Sequence, residues 1–192
     1  MKIVVSLNVN GTNMKQLKRG LVIIYTGEGK GKTTAAIGLA VRAAGYDKQV
    51  LIVQFVKSWF TGEIESLKKI PSIEFIQAGK GFYQILGDKI SADEHKAAAA
   101  GALQVIKQHL AQKKYDVVIL DESIGAVVGG LITEKDLLEI IKLKHVDTDI
   151  VFTGRHADKL PNLIKKADLV TEMTKIKHPY DEGYLAKKTI DF

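Results

Sequence analysis

The feature that most constrains this chain is the run Gly27-Glu28-Gly29-Lys30-Gly31-Lys32-Thr33-Thr34. It lies between an apolar, β-branched stretch, Leu21 to Tyr25, and an Ala- and Leu-rich stretch, Lys32 to Ala44. A strand, a glycine-rich turn and a helix start, in that order, are what a phosphate-binding loop requires. Gly27, Gly29 and Gly31 let backbone N–H groups turn inward toward phosphate oxygens. The helix N-terminus adds a field that favours anions. Lys32 can reach phosphate as a point charge, Thr33 can place a hydroxyl on Mg²⁺, and Lys30 and Thr34 complete the nucleotide-binding candidates. The spacing departs from the usual one. The first glycine should stand five residues before Gly-Lys-Thr, but that position is Thr26 and the first glycine is Gly27. The loop is therefore expected to be one residue tighter. A dinucleotide fingerprint counted from Gly27 fails, because its third glycine would fall at Lys32.

The rest of the chain repeats the same alternation. Further apolar runs, Val50 to Val56, Ile73 to Ile76, Val117 to Leu120, Ile150 to Thr153 and Leu169 to Thr171, read as strands buried on both faces. Helical stretches separate them. Gly45 is placed to end the first helix as its C′ residue. Ser91-Ala92-Asp93-Glu94 reads as a capping box, and Ala99, Leu103, Ile106 and Leu110 form one buried helix face. Thr133 caps a helix carrying Leu137, Leu138, Ile140 and Ile141, and Pro161 opens another that ends near Lys166. Strand–helix alternation predicts a three-layer α/β domain of the P-loop NTPase type, with a mostly parallel sheet of about six strands. A length of 192 residues fits one domain. Residues 1–20 are expected to form an N-terminal arm and 174–192 a C-terminal tail, as arms or covers.

A second motif, Val117-Val118-Ile119-Leu120-Asp121-Glu122, is a hydrophobic strand ending in two carboxylates and resembles a Walker B segment. Ligands of open α/β sheets bind at the C-terminal ends of the strands. One carboxylate there can hold Mg²⁺, with Glu122 the candidate beside Thr33. Composition narrows the options. The absence of Cys excludes disulfides and thiolate metal sites. A net charge of +6 favours anionic partners without choosing among them. The opening run Met1 to Leu7 is too short for a signal peptide or a membrane span, so a cytoplasmic location is expected, with no membrane partner. A motor or nucleic-acid-dependent ATPase is the alternative, since Glu122 could polarise water. Against nucleic acid, the basic residues are scattered among acids and no further oligonucleotide-binding module is evident. A small-molecule kinase would want a lid with arginines; the chain has Arg19, Arg42 and Arg155 alone.

These residues resemble those of the P-loop corrinoid adenosyltransferases, enzymes acting on cob(I)alamin or cob(I)yrinic acid a,c-diamide. The loop with its Lys30 is similar to theirs. So are Val53-Gln54-Phe55-Val56-Lys57, Asp121-Glu122, Thr153-Gly154-Arg155, Ala167 to Met173 and Lys177 to Gly183. The resemblance runs from about Gly20 to Phe192. It implies that a Co(I) corrinoid attacks the ribose 5′-carbon of ATP and triphosphate leaves, in adenosylcobalamin synthesis or salvage. It implies catalytic roles for Lys32, Phe82 and Arg155, with Mg²⁺ as cofactor and ATP and a corrinoid as substrates. It implies an electron-donating reductase or flavoprotein as partner, and a homodimer. Arg155 is a candidate contact to phosphate or to a corrinoid carboxamide, or else a surface ion pair; Lys57 and His178 have similar standing. Trp59, Phe60, Phe82 and Tyr83 lie in loops after strands, where a flat apolar ligand would be met. Gly81-Phe82 resembles the segment whose aromatics crowd the lower cobalt face; where some members carry Trp, this chain has Gln84.

Overall fold

The computed structural model describes residues 19–56, 60–79, 81, 90–112 and 115–191. Lys57, Trp59, Phe82, Tyr83 and Gln84 lie outside these, as does most of the N-terminal arm. The strands are β1 (Val22–Thr26), β2 (Val50–Gln54), β3 (Ile73–Gln77), β4 (Val117–Asp121), β5 (Asp149–Thr153) and β6 (Leu169–Glu172). The helices are α1 (Lys32–Ala44), α2 (Gly62–Leu67), α3 (Ala92–Gln112), α4 (Ser123–Val128), α5 (Glu134–Leu143) and α6 (Pro161–Lys166). The six strands form one sheet in the order β3-β2-β4-β5-β1-β6, and every neighbouring pair is parallel.

Alternation along each strand sorts side chains to two faces. Val22 and Ile24, Leu51 and Val53, Val118 and Leu120, and Ile150 and Phe152 face α3, α5 and α6, meeting Ala99, Leu103, Ile106, Leu137, Ile140 and Leu163. Ile23, Val50, Ile52, Val117, Ile119 and Val151 face α1 and α2, meeting Ala36, Ala40 and Leu67. Both faces are covered along the inner strands, which is why those strands read as unbroken apolar runs; β6, expected to be buried on both faces, is instead exposed at all four positions, at the end of the sheet.

Local signals behave as the sequence predicts in most places. Ser91 and Glu94 form the capping box: the Glu94 N–H donates to Ser91 Oγ and the Ser91 N–H to Glu94 Oε2. Thr133 caps α5, with the box closed by Asp136, and Pro161 opens α6. Gly45 is a correction. Its φ is −64° and its N–H still donates to Val41 O, so it continues the helical turn. The reversal falls at Asp47, with φ +58°, a position that a short polar side chain tolerates better than most. The second strand also ends earlier than expected, at Gln54, because the chain bends at Phe55 and Val56.

Candidate nucleotide-binding site

The loop of residues 27–31 leaves β1 beside the end of β6. The register pairs Thr26 with Glu172, so Met173 must come alongside Gly27. A Cβ on Gly27 would stand 2.5 Å from the Met173 carbonyl oxygen, and one on Gly29 would stand 2.6 Å from the same atom. Gly27 and Gly31 have φ values of +99° and +121°, which L side chains rarely adopt. Gly27 thus meets two needs at once, a reversed backbone and a close neighbour, while Gly31 serves mainly the first and Gly29 the second. The Gly29 N–H donates to Met173 O at 2.6 Å, which closes the loop from the β6 side.

Lys32 is the first residue of α1 and is 8% exposed. Its ammonium donates to the carbonyls of Gly27 at 2.7 Å and Gly29 at 2.8 Å, so the loop curls around the charge. Burial pushes its pKa down; Glu122 is the strongest of the negative charges opposing that shift, while Arg155 adds to it. Thr33 lies one residue further into the helix and reaches the sheet: its hydroxyl donates to Asp121 Oδ1 at 2.9 Å. Thr34 is exposed in the first turn.

The acid pair sits on the α1 face of the sheet. Gln54, Asp121 and Thr153 each extend an apolar column that faces α1, at the C-terminal ends of β2, β4 and β5. Gln54 and Asp121 are register partners. Asp121, 2% exposed, accepts from Gln54 Nε2 at 2.9 Å on Oδ2, and from Thr153 Oγ1 at 2.7 Å on Oδ1. With Thr33 that makes three donors to one carboxylate. Sequence reading assigned the metal role to Glu122 and gave Asp121, Gln54 and Thr153 no separate roles. The signal was there: three strands, each apolar to its last residue, end in side chains that hydrogen-bond. Glu122 follows in a left-handed conformation, φ +59° and ψ +17°, and leads into α4. Among the described residues no group of three or more His, Asp or Glu side chains is placed to hold a metal ion by itself. The donors at Thr33, Asp121 and Glu122 are all hard oxygens, a set that fits Mg²⁺ when nucleotide phosphates supply the remaining ligands.

The rim of the site is built from exposed charges. Arg155 donates to Glu28 Oε2 at 3.0 Å, and His156 Nε2 lies 3.5 Å from Glu28 Oε1. Lys30 reaches Asp191 at 2.8 Å, whose other oxygen accepts the Lys187 N–H. That amide bond, with Lys30 behind it, lowers the Asp191 pKa. Lys30 thereby ties the loop to the C-terminal tail. His178 accepts from the Tyr180 N–H within the tail. Phe60 is exposed. The structure brings Lys32, Thr33, Glu122 and Arg155 to one end of the sheet; Phe82 lies outside the described residues.

A parallel sheet whose first strand feeds a glycine-rich loop and a helix, with a loop threonine bonded to an acid on a nearby strand, defines a phosphate-loop nucleotide-binding protein. The model of the family described as ATP:corrinoid adenosyltransferase BtuR/CobO/CobP matches residues 18–192, and the chain belongs to that family. It is 34% identical over 178 residues to the corrinoid adenosyltransferase of Escherichia coli (strain K12), covering 92% of this chain and 88% of the relative. The corrinoid adenosyltransferase CobA of Salmonella typhimurium is 33% identical over the same shares. That of Pseudomonas aeruginosa is 33% identical over 91% of this chain and 85% of its own. Among solved structures, the flagellar accessory protein FlaH from Methanocaldococcus jannaschii aligns with a TM-score of 0.48 and 18% identity, over 80% of this chain and 70% of that one; the likeness is too slight to carry a conclusion. No described helix is long and apolar enough to cross a membrane.

Proposed function

We propose that this chain transfers the 5′-deoxyadenosyl group of ATP to the Co(I) centre of a corrinoid. The cobalt electron pair attacks C5′, a cobalt–carbon bond forms, the C5′–O bond breaks, and triphosphate leaves with that electron pair. The observation that carries this reading is the assembly of buried Lys32 and Asp121 with half-buried Thr33 in a chain of this family. Developing negative charge falls on a triphosphate, so the loop amides, Lys30 and Lys32 stabilise the leaving group. No general base is required, because the nucleophile has no proton to lose. Mg²⁺, held by Thr33 and Glu122 or Asp121, supplies charge neutralisation at the phosphates. Arg155 stands at the rim, near enough to weigh on the Lys32 charge, and serves to hold phosphate or a corrinoid carboxamide.

Phe82 is assigned to the lower cobalt face, where an apolar ring excludes an axial ligand and eases reduction of Co(II). An external reductase or flavoprotein supplies the electron. The working unit is a homodimer in the cytoplasm; Leu169 and Val170, exposed on the terminal strand β6, give it apolar surface to bury. The deciding experiment incubates the protein with MgATP and reduced corrinoid and follows the corrinoid spectrum and the phosphate products. Adenosylcorrinoid with triphosphate is expected; ADP with phosphate would mean an ATPase instead. Repeating it with Phe82→Ala separates the aromatic role. Loss with a weak biological reductant should exceed loss with chemically reduced corrinoid, and equal losses would leave Phe82 only a shaping role.

A further inference from the structure

We propose that Thr153 is the positioning residue of this site: its one hydroxyl sets both acids of the Asp121–Glu122 pair. Thr153 ends β5 and is fully buried. Its Oγ1 donates its single proton to Asp121 Oδ1 at 2.7 Å and accepts the Glu122 N–H at 2.9 Å. The donor is thereby spent inside the protein, so Thr153 acts through its neighbours and not on substrate.

The first of these bonds governs Thr33. Thr33 gives its hydroxyl proton to the same Asp121 oxygen, which leaves the Thr33 lone pairs to face the loop and any cation held there. Asp121 can hold that proton in place only if its carboxylate is fixed in rotation. Thr153 fixes one oxygen and Gln54 the other, at 2.7 and 2.9 Å.

The second bond governs Glu122. A glutamate at φ +59° is disfavoured by contact between its Cβ and backbone, and such a conformation persists only where surroundings over-determine it. Here two bonds do so. Thr153 takes the Glu122 N–H, and the Glu122 carbonyl accepts the Ala126 N–H at 3.0 Å, opening α4. The left-handed residue turns the chain sharply off β4. One hydroxyl on β5 thus sets the threonine that faces the loop and the turn that carries Glu122 off β4.

The inference rests on the adenosyl-transfer reading for the identity of the ligand, and the test keeps the two apart. ATP binding is titrated with and without Mg²⁺, with no corrinoid present, for the wild type, Thr153→Val and Thr153→Ser. Valine keeps the shape and removes the hydroxyl; serine keeps the hydroxyl. In Thr153→Val the gain in ATP affinity from Mg²⁺ should fall about tenfold, as expected when a buried amide and a carboxylate each lose a partner. Metal-free ATP affinity should stay within about twofold, and Thr153→Ser should restore the gain to within about threefold. A Thr153→Val protein with the full Mg²⁺ gain would overturn the proposal, and so would a serine variant as defective as the valine one. If Thr153→Val does not fold, Thr153→Ala against Thr153→Ser isolates the hydroxyl, and identical behaviour of that pair overturns it. A wild type that binds MgATP but makes no adenosylcorrinoid would instead count against the functional reading alone.

Discussion

The floor and the rim of the site carry charge in opposite ways. On the floor, Lys32, Asp121, Gln54 and Thr153 are buried, and each is hydrogen-bonded to the protein. At the rim, Glu28, Lys30 and Arg155 have side chains 49%, 40% and 59% exposed, and their pairs look into water. Buried charges interact strongly and tolerate no loose partner. Exposed pairs are worth little, because solvent and salt screen them. The floor is therefore preorganised at the cost of adaptability. The rim can exchange Glu28 or Asp191 for a substrate anion at small cost, which suits groups that must let a substrate in and out.

The largest way to break this contrast is Lys32→Ala. Loss of a preorganised charge in a water-excluded site typically costs about 3–4 kcal/mol of transition-state stabilisation. Adenosyl transfer should fall by two to three orders of magnitude, in rate measurements on a protein whose circular dichroism is unchanged. Near-wild-type turnover would remove the floor from the chemistry. Next comes Gly27→Ala. It combines a positive φ with a backbone oxygen 2.5 Å from the new Cβ, and should destabilise by roughly 2–4 kcal/mol in denaturant titration. A smaller effect separates the two acids. Thr33→Ala, Asp121→Asn and Glu122→Gln should each raise the Mg²⁺ requirement for turnover. The Thr33 double variant with whichever acid shares its ion should be less than additive, by about 1 kcal/mol or more. Full additivity with both acids would dissolve the proposed metal site.

The smallest test sharpens the statement about exposed pairs. Arg155→Ala should leave stability within about 0.5 kcal/mol of wild type, since the Glu28 pair is open to water. Asp168 is different. Arg19 bonds both its oxygens and the Val22 N–H adds a third bond, at 2.9 Å. Arg19 foremost, with Val22 helping, holds its pKa down to about 2. Because the folded value lies below the unfolded one, the stabilisation is complete above about pH 4 and is lost as pH falls toward about 2. Asp168→Asn should lower the Tm at neutral pH by about 2–4 °C and flatten that acid slope. An Arg155→Ala effect as large would mean the rim is tied down as firmly as the seam between β1 and β6.

Much of this was legible from sequence for one physical reason: buried parallel strands need no polar face. Val117–Asp121 and Val50–Gln54 are buried at every position, so an apolar run located them without any phase. The capping box at Ser91 and the cap at Thr133 were equally local. What escaped was set by neighbours far along the chain. The short helix α4 has no side-chain cap and contains a glycine; its start depends on Thr153, 31 residues away, binding the Glu122 N–H. Alternation of strands and helices announced a parallel sheet but not its order. Only the order puts β6 beside β1, and so Met173 against the loop glycines. The candidate residues Lys32 and Thr33 were fixed by a contiguous motif. The partnership of Thr33 with Asp121 spans 88 residues and has no signature of its own.

The place of β1 between β5 and β6 has a consequence for how the molecule comes into being. Its flanking contacts reach Asp149 and Asp168, 128 and 146 residues onward. During vectorial synthesis the strand that carries the nucleotide loop emerges before either of its neighbours and waits with both ladders empty until they follow. Closing such distant pairs is slow, and an unsatisfied apolar strand is exposed to wrong partners meanwhile. The loop motif alone therefore does not make the site: the strand that carries it needs neighbours 128 and 146 residues further along the chain.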